Sequence, residues 1–413
     1  LSNMKCRHCK KELNNIFVDL GSAPPSNSFL TEITIKELEK WYPLKVFVCE
    51  SCWLVQTEDF VDEEEMFSED YTYFSSFSSS WNDHAKHYVE QMTSRFDLTK
   101  ESMVVEVAAN DGYLLRYVQE KNIPCYGIEP THSTAQAARE KGIKIFEEFF
   151  GVAVAKRLMG RGLQADLMVA NNVLAHVPDI NDFVKGFSML LKPNGVATFE
   201  NPHLLNLVDE IQFDTIYHEH YSYLSLTSVS KIFQKNGLVV FDVEELRSHG
   251  GSLRYYAQRL DTGSHQISRS VRDLQEKEGD AGMGALYFYQ DFQKKADKIK
   301  DDLLSFLIDA KKNGKKVVAY GAAAKGNTLL NYAGVRQDLL TYVVDLNPVK
   351  QGRYMPGSRI PIVAESMIKE DKPEYILILP WNLKNEIISQ LGYSKEWGVK
   401  FVTAIPEISI SSC

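Results

Sequence analysis

Short unbroken apolar runs alternate with stretches whose apolar residues recur every three or four positions. The first pattern reads as strands buried on both faces, the second as the helices that cover them. Met103–Ala108, Cys125–Ile128, Leu167–Ala170 and Val196–Glu200 are the expected strands of one such unit. Its helices start at Tyr113, span Ala135–Ala138 and run over Ile180–Leu191, and a hairpin, Gly237–Glu244 with Ser252–Ala257, ends it. A long amphipathic helix is expected over 283–312, tethering this unit to the next. The alternation then restarts with Lys315–Tyr320, Val343–Asp345 and Tyr375–Pro380. The pattern predicts an α/β protein with two Rossmann-like units, over residues 67–262 and 263–413.

The first 66 residues do not share this rhythm. They carry Cys6-x-x-Cys9 and Cys49-x-x-Cys52, with 39 residues between the pairs. One tight turn brings two thiolates to an ion, and two such turns complete a tetrahedral site. These four cysteines therefore predict a structural Zn2+ module over residues 1–66. Its twelve Asp/Glu against seven Lys/Arg argue against a nucleic-acid grip. The whole chain, at net −9, points the same way, and no apolar run is long enough for a membrane span. The cysteine usage and the lack of a secretion signal make cytoplasm the expected location; a monomer is the expected state.

Candidate chemistry gathers where strands end. Ala108, Asn110 and Gly112 sit in the turn after the first strand, and Glu106 precedes it. Small residues there let a ligand approach the backbone. Glu129 at the tip of the second strand suits a ribose diol. Asn171, Asn172 and His176 follow the strand Leu167–Ala170. In the last unit, Gly321-Ala-Ala-Ala-Lys325-Gly-Asn327 suits a diphosphate, with Arg353 and Tyr354 on a nearby loop. The aromatic and serine-rich stretch with Tyr71, Tyr73 and Ser80 reads as a flap ahead of a helix from Trp81 to Phe96.

The densest chemistry lies in Tyr217-His218-Glu219-His220-Tyr221-Ser222-Tyr223. Each of its His, Glu and Tyr side chains can move a proton or donate to an oxyanion. Histidine has an unperturbed pKa of about 6.5 and suits a general base.

These motifs form an ordered set: CxxC…CxxC, Y-x-Y-F-S-S, E-V-A-A-N-D-G-Y-L-L, N-N-V-L-A-H-V, E-N-P-H, Y-H-E-H-Y-S-Y and H-G-G-S-L-R. The middle unit resembles class I S-adenosylmethionine methyltransferases. The full set resembles the zinc-containing sugar C-methyltransferases, which act beside the ketone of an NDP-4-keto-deoxysugar. The resemblance implies S-adenosylmethionine as donor, held by Glu106, Ala108, Asn110, Gly112, Glu129, Asn171, Asn172 and Ser80. It implies His220 as the base, with Glu219 and Tyr217 as partners, and His176 and Tyr71 near the ketone. His218 is expected to point away. The last unit would hold the nucleotide, deoxythymidine by family expectation, on Lys325, Asn327, Arg353 and Tyr354. Two other readings are a methyltransferase on RNA or protein, gripping it with the zinc module, and a non-catalytic nucleotide-binding scaffold. The acidic module and the second nucleotide-type unit oppose the former, and the His/Glu/Tyr cluster the latter.

Overall fold

Three sheets share the chain. The computed structural model describes residues 4–60, 74–77 and 79–412. β1 (Asn15–Ala23), β2 (Tyr42–Val48) and β3 (Val55–Thr57) form an antiparallel meander. β4 (Val104–Val107), β5 (Cys125–Ile128), β6 (Ile145–Phe146), β7 (Ala165–Asn171) and β8 (Leu191–Pro202) come next. β9 (Ser222–Tyr223) then leaves the middle of the chain to pair with β3, extending the N-terminal meander to four strands. β10 (Leu238–Leu246) and β11 (Ser252–Arg259) are the hairpin.

The central sheet runs β6-β5-β4-β7-β8-β11-β10, parallel except for β11. Its order reverses between β4 and β7, so a crevice opens at their carboxyl ends. The third sheet is built from β12 (Val317–Tyr320), β13 (Val343–Val344), β14 (Ile362–Val363), β15 (Tyr375–Ile378), β16 (Lys400–Thr403) and β17 (Ser409–Ser412). Its order, β14-β13-β12-β15-β16-β17, reverses between β12 and β15, and only β17 is antiparallel.

Local sequence accounts for most boundaries. Asp179 caps the helix Ile180–Leu190 by accepting from the backbone N–H of Asn181 and Asp182. The apolar face of that helix, including Ile180, Phe183, Val184 and Phe187, is buried. The expected helix over 283–312 is shorter, Phe292–Lys312. Gly282 (φ 87°) and Asp291 (φ 66°) are left-handed, which no helix continues through. The helix Arg269–Asp280 escapes a periodicity reading because its buried face holds only Val271, Leu274 and a charged residue, Glu278. Glu278 is held by hydrogen bonds instead, accepting from the N–H of Leu226 and Thr227 at 2.7 Å each and facing His203 at 2.8 Å.

The helix Phe292–Lys312 does tie units together. Phe292 stacks on Phe17 of β1 at 4.4 Å, and one apolar core runs from β1 and β2 through this helix to β12 and β15. A second core joins the cysteine cluster to the helices covering the central sheet. Among the described residues no helix is long and apolar enough to cross a membrane.

Candidate active site and zinc centre

The four cysteine sulfurs lie within 4.8 Å of one another, with Cys6–Cys52 and Cys9–Cys49 at 3.5 Å. A zinc–sulfur bond of about 2.3 Å puts tetrahedral sulfurs about 3.8 Å apart, so the cluster fits the ion. Each knuckle closes alike: Lys10 N–H donates to Cys6 O at 2.9 Å and Trp53 N–H to Cys49 O at 2.8 Å, with Lys10 and Trp53 both left-handed. Gln56 donates to Cys6 Sγ at 3.3 Å. His8 stands outside the cluster, its Nδ1 2.8 Å from Asn181 Oδ1.

This module reaches the histidine cluster directly. Thr57 Oγ1 donates to His220 O at 3.0 Å, and Thr57 N–H to Tyr221 O at 3.1 Å. Arg7 donates to Pro178 O at 2.7 Å and to Thr57 O at 2.9 Å, locking the module to the loop after β7.

At the crevice, Ala108 (φ 56°), Asn110 (φ 49°) and Gly112 (φ 75°) are all left-handed. Two of the three carry a side chain in a region glycine favours, which marks a turn held under strain. Glu129 holds it: Oε2 accepts from Asn110 N–H at 2.9 Å and Oε1 from Thr131 N–H at 3.0 Å. Burial pushes the Glu129 carboxyl up, and hydrogen bonds from Thr131, Asn110 and Thr134 oppose the shift. Glu106 is buried, which pushes its carboxyl well above the usual range. Tyr113 opposes that shift, and neither side-chain polar atom of buried Asn171 has a hydrogen-bond partner among the described residues. Orphaned polar atoms at the end of β7, beside the buried carboxyl of β4, fit a ligand carrying amino-acid charges and ribose hydroxyls. Asn172, also left-handed at 54°, donates its N–H to Glu200 O at 2.6 Å.

The serine-rich segment lies on this turn. Ser75 N–H donates to Asn110 Oδ1 at 2.9 Å, Ser76 Oγ donates to Asp111, and Asn82 donates to Ser76 O at 2.7 Å. Ser80 is exposed in the first turn of the helix Ser79–Arg95. Tyr71 and Tyr73 lie outside the described residues.

Three of the expected residues come together beside β7. The rings of His220 and His176 are 4.6 Å apart, and that of Tyr217 is 4.0 Å from His220. Tyr221 N–H donates to Ala175 O at 2.8 Å, which pins the two segments. His220 Nδ1 is 2.7 Å from Thr215 O. A carbonyl only accepts, so this assigns the proton to Nδ1 and the basic lone pair to Nε2. Burial pulls His176 down to about 4, so it is neutral at pH 7. Burial pushes Glu219 up to about 7, opposed by Asn27, which donates to Oε1 at 2.5 Å. His218 Nε2 sits 3.1 Å from Pro43 O, on the N-terminal module. A cavity adjoins His220, lined by Ala175, Asn201, Pro202, Thr215, Ser222 and Tyr223.

Sequence reasoning missed Asn27, Thr57 and Thr215. Asn27 and Thr57 reach the cluster from far along the chain, and Thr215 contributes only a carbonyl, so none leaves a local signal.

The four candidates of the last unit are spread over it. Lys325 donates to Asn382 Oδ1 at 3.1 Å and lies over the Trp381 ring at 4.5 Å. Asn327 is buried and donates to Ser26 O at 2.5 Å. Tyr354 exchanges backbone hydrogen bonds with Leu30 at 2.8 and 3.0 Å, and Arg353, the residue before it, is partly buried. Asp345, at the end of β13, carries no distinguishing signal in the sequence. Its Oδ2 accepts from Ala322 N–H at 2.8 Å, the same device as Glu129 with Asn110 in the central sheet.

Comparison with known proteins matches three family models along the chain. Residues 6–67 match a model described as a zinc binding domain, 81–243 a methyltransferase domain, and 247–406 a C-methyltransferase C-terminal domain. C-methyltransferase NovU of Streptomyces niveus is 31% identical over 408 residues, which is 99% of this chain and 97% of that protein. Among solved structures, magnesium protoporphyrin IX methyltransferase (ChlM) of Synechocystis PCC 6803 with bound SAH is 13% identical, with a TM-score of 0.35 over 43% of this chain and 83% of that one. A SAM dependent methyltransferase from Archaeoglobus fulgidus is 12% identical, with a TM-score of 0.34 over 42% and 94%.

Proposed function

The chain belongs to the C-methyltransferase family, and from that premise we propose that it methylates the ring carbon beside the ketone of an NDP-4-keto-deoxysugar, C-3 of a dTDP-sugar being the first candidate. The observation that carries this reading is the packing of His220 against His176 and Tyr217, with Nδ1 of His220 bonded to Thr215 O. Carbon methylation beside a ketone needs a base for the α-proton and donors at the enolate oxygen. His220 Nε2 takes the proton. The Tyr217 hydroxyl would donate to the oxygen, His176 would pack beside the base with its ring bonded to the Glu219 backbone, and Glu219 with Asn27 sets the polarity around them.

S-adenosylmethionine supplies the activated methyl group. Glu129 would accept from its ribose hydroxyls, and Glu106 and Asn171 would answer its polar groups; Ala108, Asn110 and Gly112 let it approach the backbone. Residues 67–262 would hold this donor and residues 263–413 the nucleotide, with Asp345 beside Lys325, Asn327, Arg353 and Tyr354 among the candidates. The reading as an RNA or protein methyltransferase is weaker: the inner edge of the zinc module is paired with β9, and the module is acidic.

Incubation with methyl-labelled S-adenosylmethionine and a dTDP-4-keto-deoxysugar is expected to give a product with a new carbon–carbon bond, seen by NMR. A product methylated only on oxygen or nitrogen would overturn the assignment. Glu129→Ala is expected to weaken donor binding by roughly 10- to 100-fold, the loss of hydrogen bonds to a charged group, with little change for the sugar nucleotide. Calorimetry with S-adenosylhomocysteine checks this, and the reverse pattern would misplace the donor.

A further inference from the structure

The carbonyl that orients His220 belongs to a single short turn, Phe213–Thr215. One turn of 3-10 helix does not hold its own geometry to a few tenths of an ångström. Its side-chain supports come largely from the C-terminal unit. Thr328 Oγ1 donates to Ile216 O at 2.8 Å, Trp381 Nε1 donates to Asp214 Oδ2 at 2.8 Å, and Tyr332 meets Phe213 edge-on at 5.4 Å. Thr328 and Tyr332 lie four residues apart on the helix Ala324–Ala333, and so on one face. Lys325, three residues before Thr328, lies over the ring of the same Trp381. Phe213, Asp214, Ile216 and Thr328 are buried, where a hydrogen bond is not exchanged for water, and Trp381 and Tyr332 are half-buried over them.

We infer that Thr328 and Trp381 are positioning residues for the base: from the C-terminal unit they fix the turn whose Thr215 carbonyl aims His220, and so couple that unit to deprotonation. This rests on the reading of His220 as the base. The coupling has a direction in the fold. The helix that carries Thr328 begins at the turn after β12, where a nucleotide is expected, and its face ends on the residues flanking Thr215. A substrate half seated at one end of this helix is therefore registered at the catalytic histidine by rigid contact.

Thr328→Val removes the hydroxyl, and Thr328→Ser keeps it. Exchange of the substrate α-hydrogen with deuterium, measured on a dTDP-4-keto-deoxysugar, is expected to fall by about 10- to 100-fold in Thr328→Val, as for a misplaced catalytic group. The Michaelis constant for S-adenosylmethionine should stay unchanged, and Thr328→Ser should restore exchange. Trp381→Phe gives a second, independent loss in the same direction and decides the matter if Thr328→Val does not fold. Nitrogen-15 NMR of the histidine rings supplies a readout separate from activity: the Nδ1–H form of His220 is expected in the parent and a mixture of tautomers in the variants. Parent-like exchange in folded Thr328→Val or Trp381→Phe, or lower exchange with an unaltered His220 signal, would overturn the coupling. A parent that exchanges nothing would overturn the base assignment and this inference with it.

Discussion

His220→Ala and His220→Asn are expected to lose exchange of the α-hydrogen, and methyl transfer with it, by about 10²- to 10⁴-fold, the usual contribution of a general base. The expectation rests on geometry. Thr215 O fixes the Nδ1 proton and leaves Nε2 as the basic atom. The backbone around the residue is held: His220 N–H donates to Tyr217 O at 2.9 Å, its carbonyl accepts from Thr57, and the Tyr221 N–H donates to Ala175 O. The ring therefore cannot be replaced by a neighbour sliding into place. His176, the nearest other imidazole, is held by burial to about 4, too weakly basic to take over, and its ring is bonded to the Glu219 backbone. Asparagine keeps a polar side chain of similar reach but cannot accept a proton, so it separates proton transfer from packing. Binding of S-adenosylhomocysteine should be unchanged in both variants, because its proposed contacts lie on the turn after β4. Exchange that continues at the parent rate in either variant would remove His220 from the role and make Glu219, pushed up to about 7 by burial, the next candidate.

Much of the architecture is legible in the sequence because buried parallel strands are written as unbroken apolar runs, and the helices between them as an apolar stripe. Cys125–Ile128 is the same strand in both readings. The helix Arg269–Asp280 is not legible, since its seat is a buried carboxylate rather than an apolar face. The cysteine pairs are readable from spacing, as two thiolates on one turn admit few other uses. The donor turn is readable only in part. Ala108 and Asn110 occupy left-handed positions, but neither residue type announces this. Tyr217, His220 and His176 stand out because proton-handling side chains are crowded at strand ends. Their supports do not. Asn27, Thr57, Thr328 and Trp381 each contribute a hydrogen bond across a distance in sequence that no local pattern records. In the C-terminal unit the contacts of the candidates are equally illegible. Lys325 and Asn327 are singled out by their place after a strand, and nothing local records that Lys325 lies over Trp381 or that Asn327 bonds to Ser26.

Removing zinc is expected to abolish activity by releasing the base rather than the donor. The cysteine cluster closes one end of the N-terminal module, whose own three strands form a small sheet that β9 completes and that leans on its neighbours. In such modules the free energy of metal binding, about 10–16 kcal/mol for zinc-finger peptides at pH 7, is largely free energy of folding. Chelation, or Cys6→Ser with Cys52→Ser, should therefore unravel the knuckles at Cys6–Lys10 and Cys49–Trp53. Gln56 is released next, since it donates to Cys6 Sγ, and Thr57 with it. Thr57 is the residue that holds the His220 and Tyr221 carbonyls, and β3 is the strand that pairs with β9. The expected signature is a protein with about one zinc per chain that, once stripped, melts at lower temperature and loses α-hydrogen exchange far more than it loses affinity for S-adenosylhomocysteine. Metal content, thermal unfolding, exchange and calorimetry measured on one preparation separate these effects. Stripped protein that still exchanges the α-hydrogen at the parent rate would mean that β3 holds its place without the metal, and that the zinc centre does not support the base.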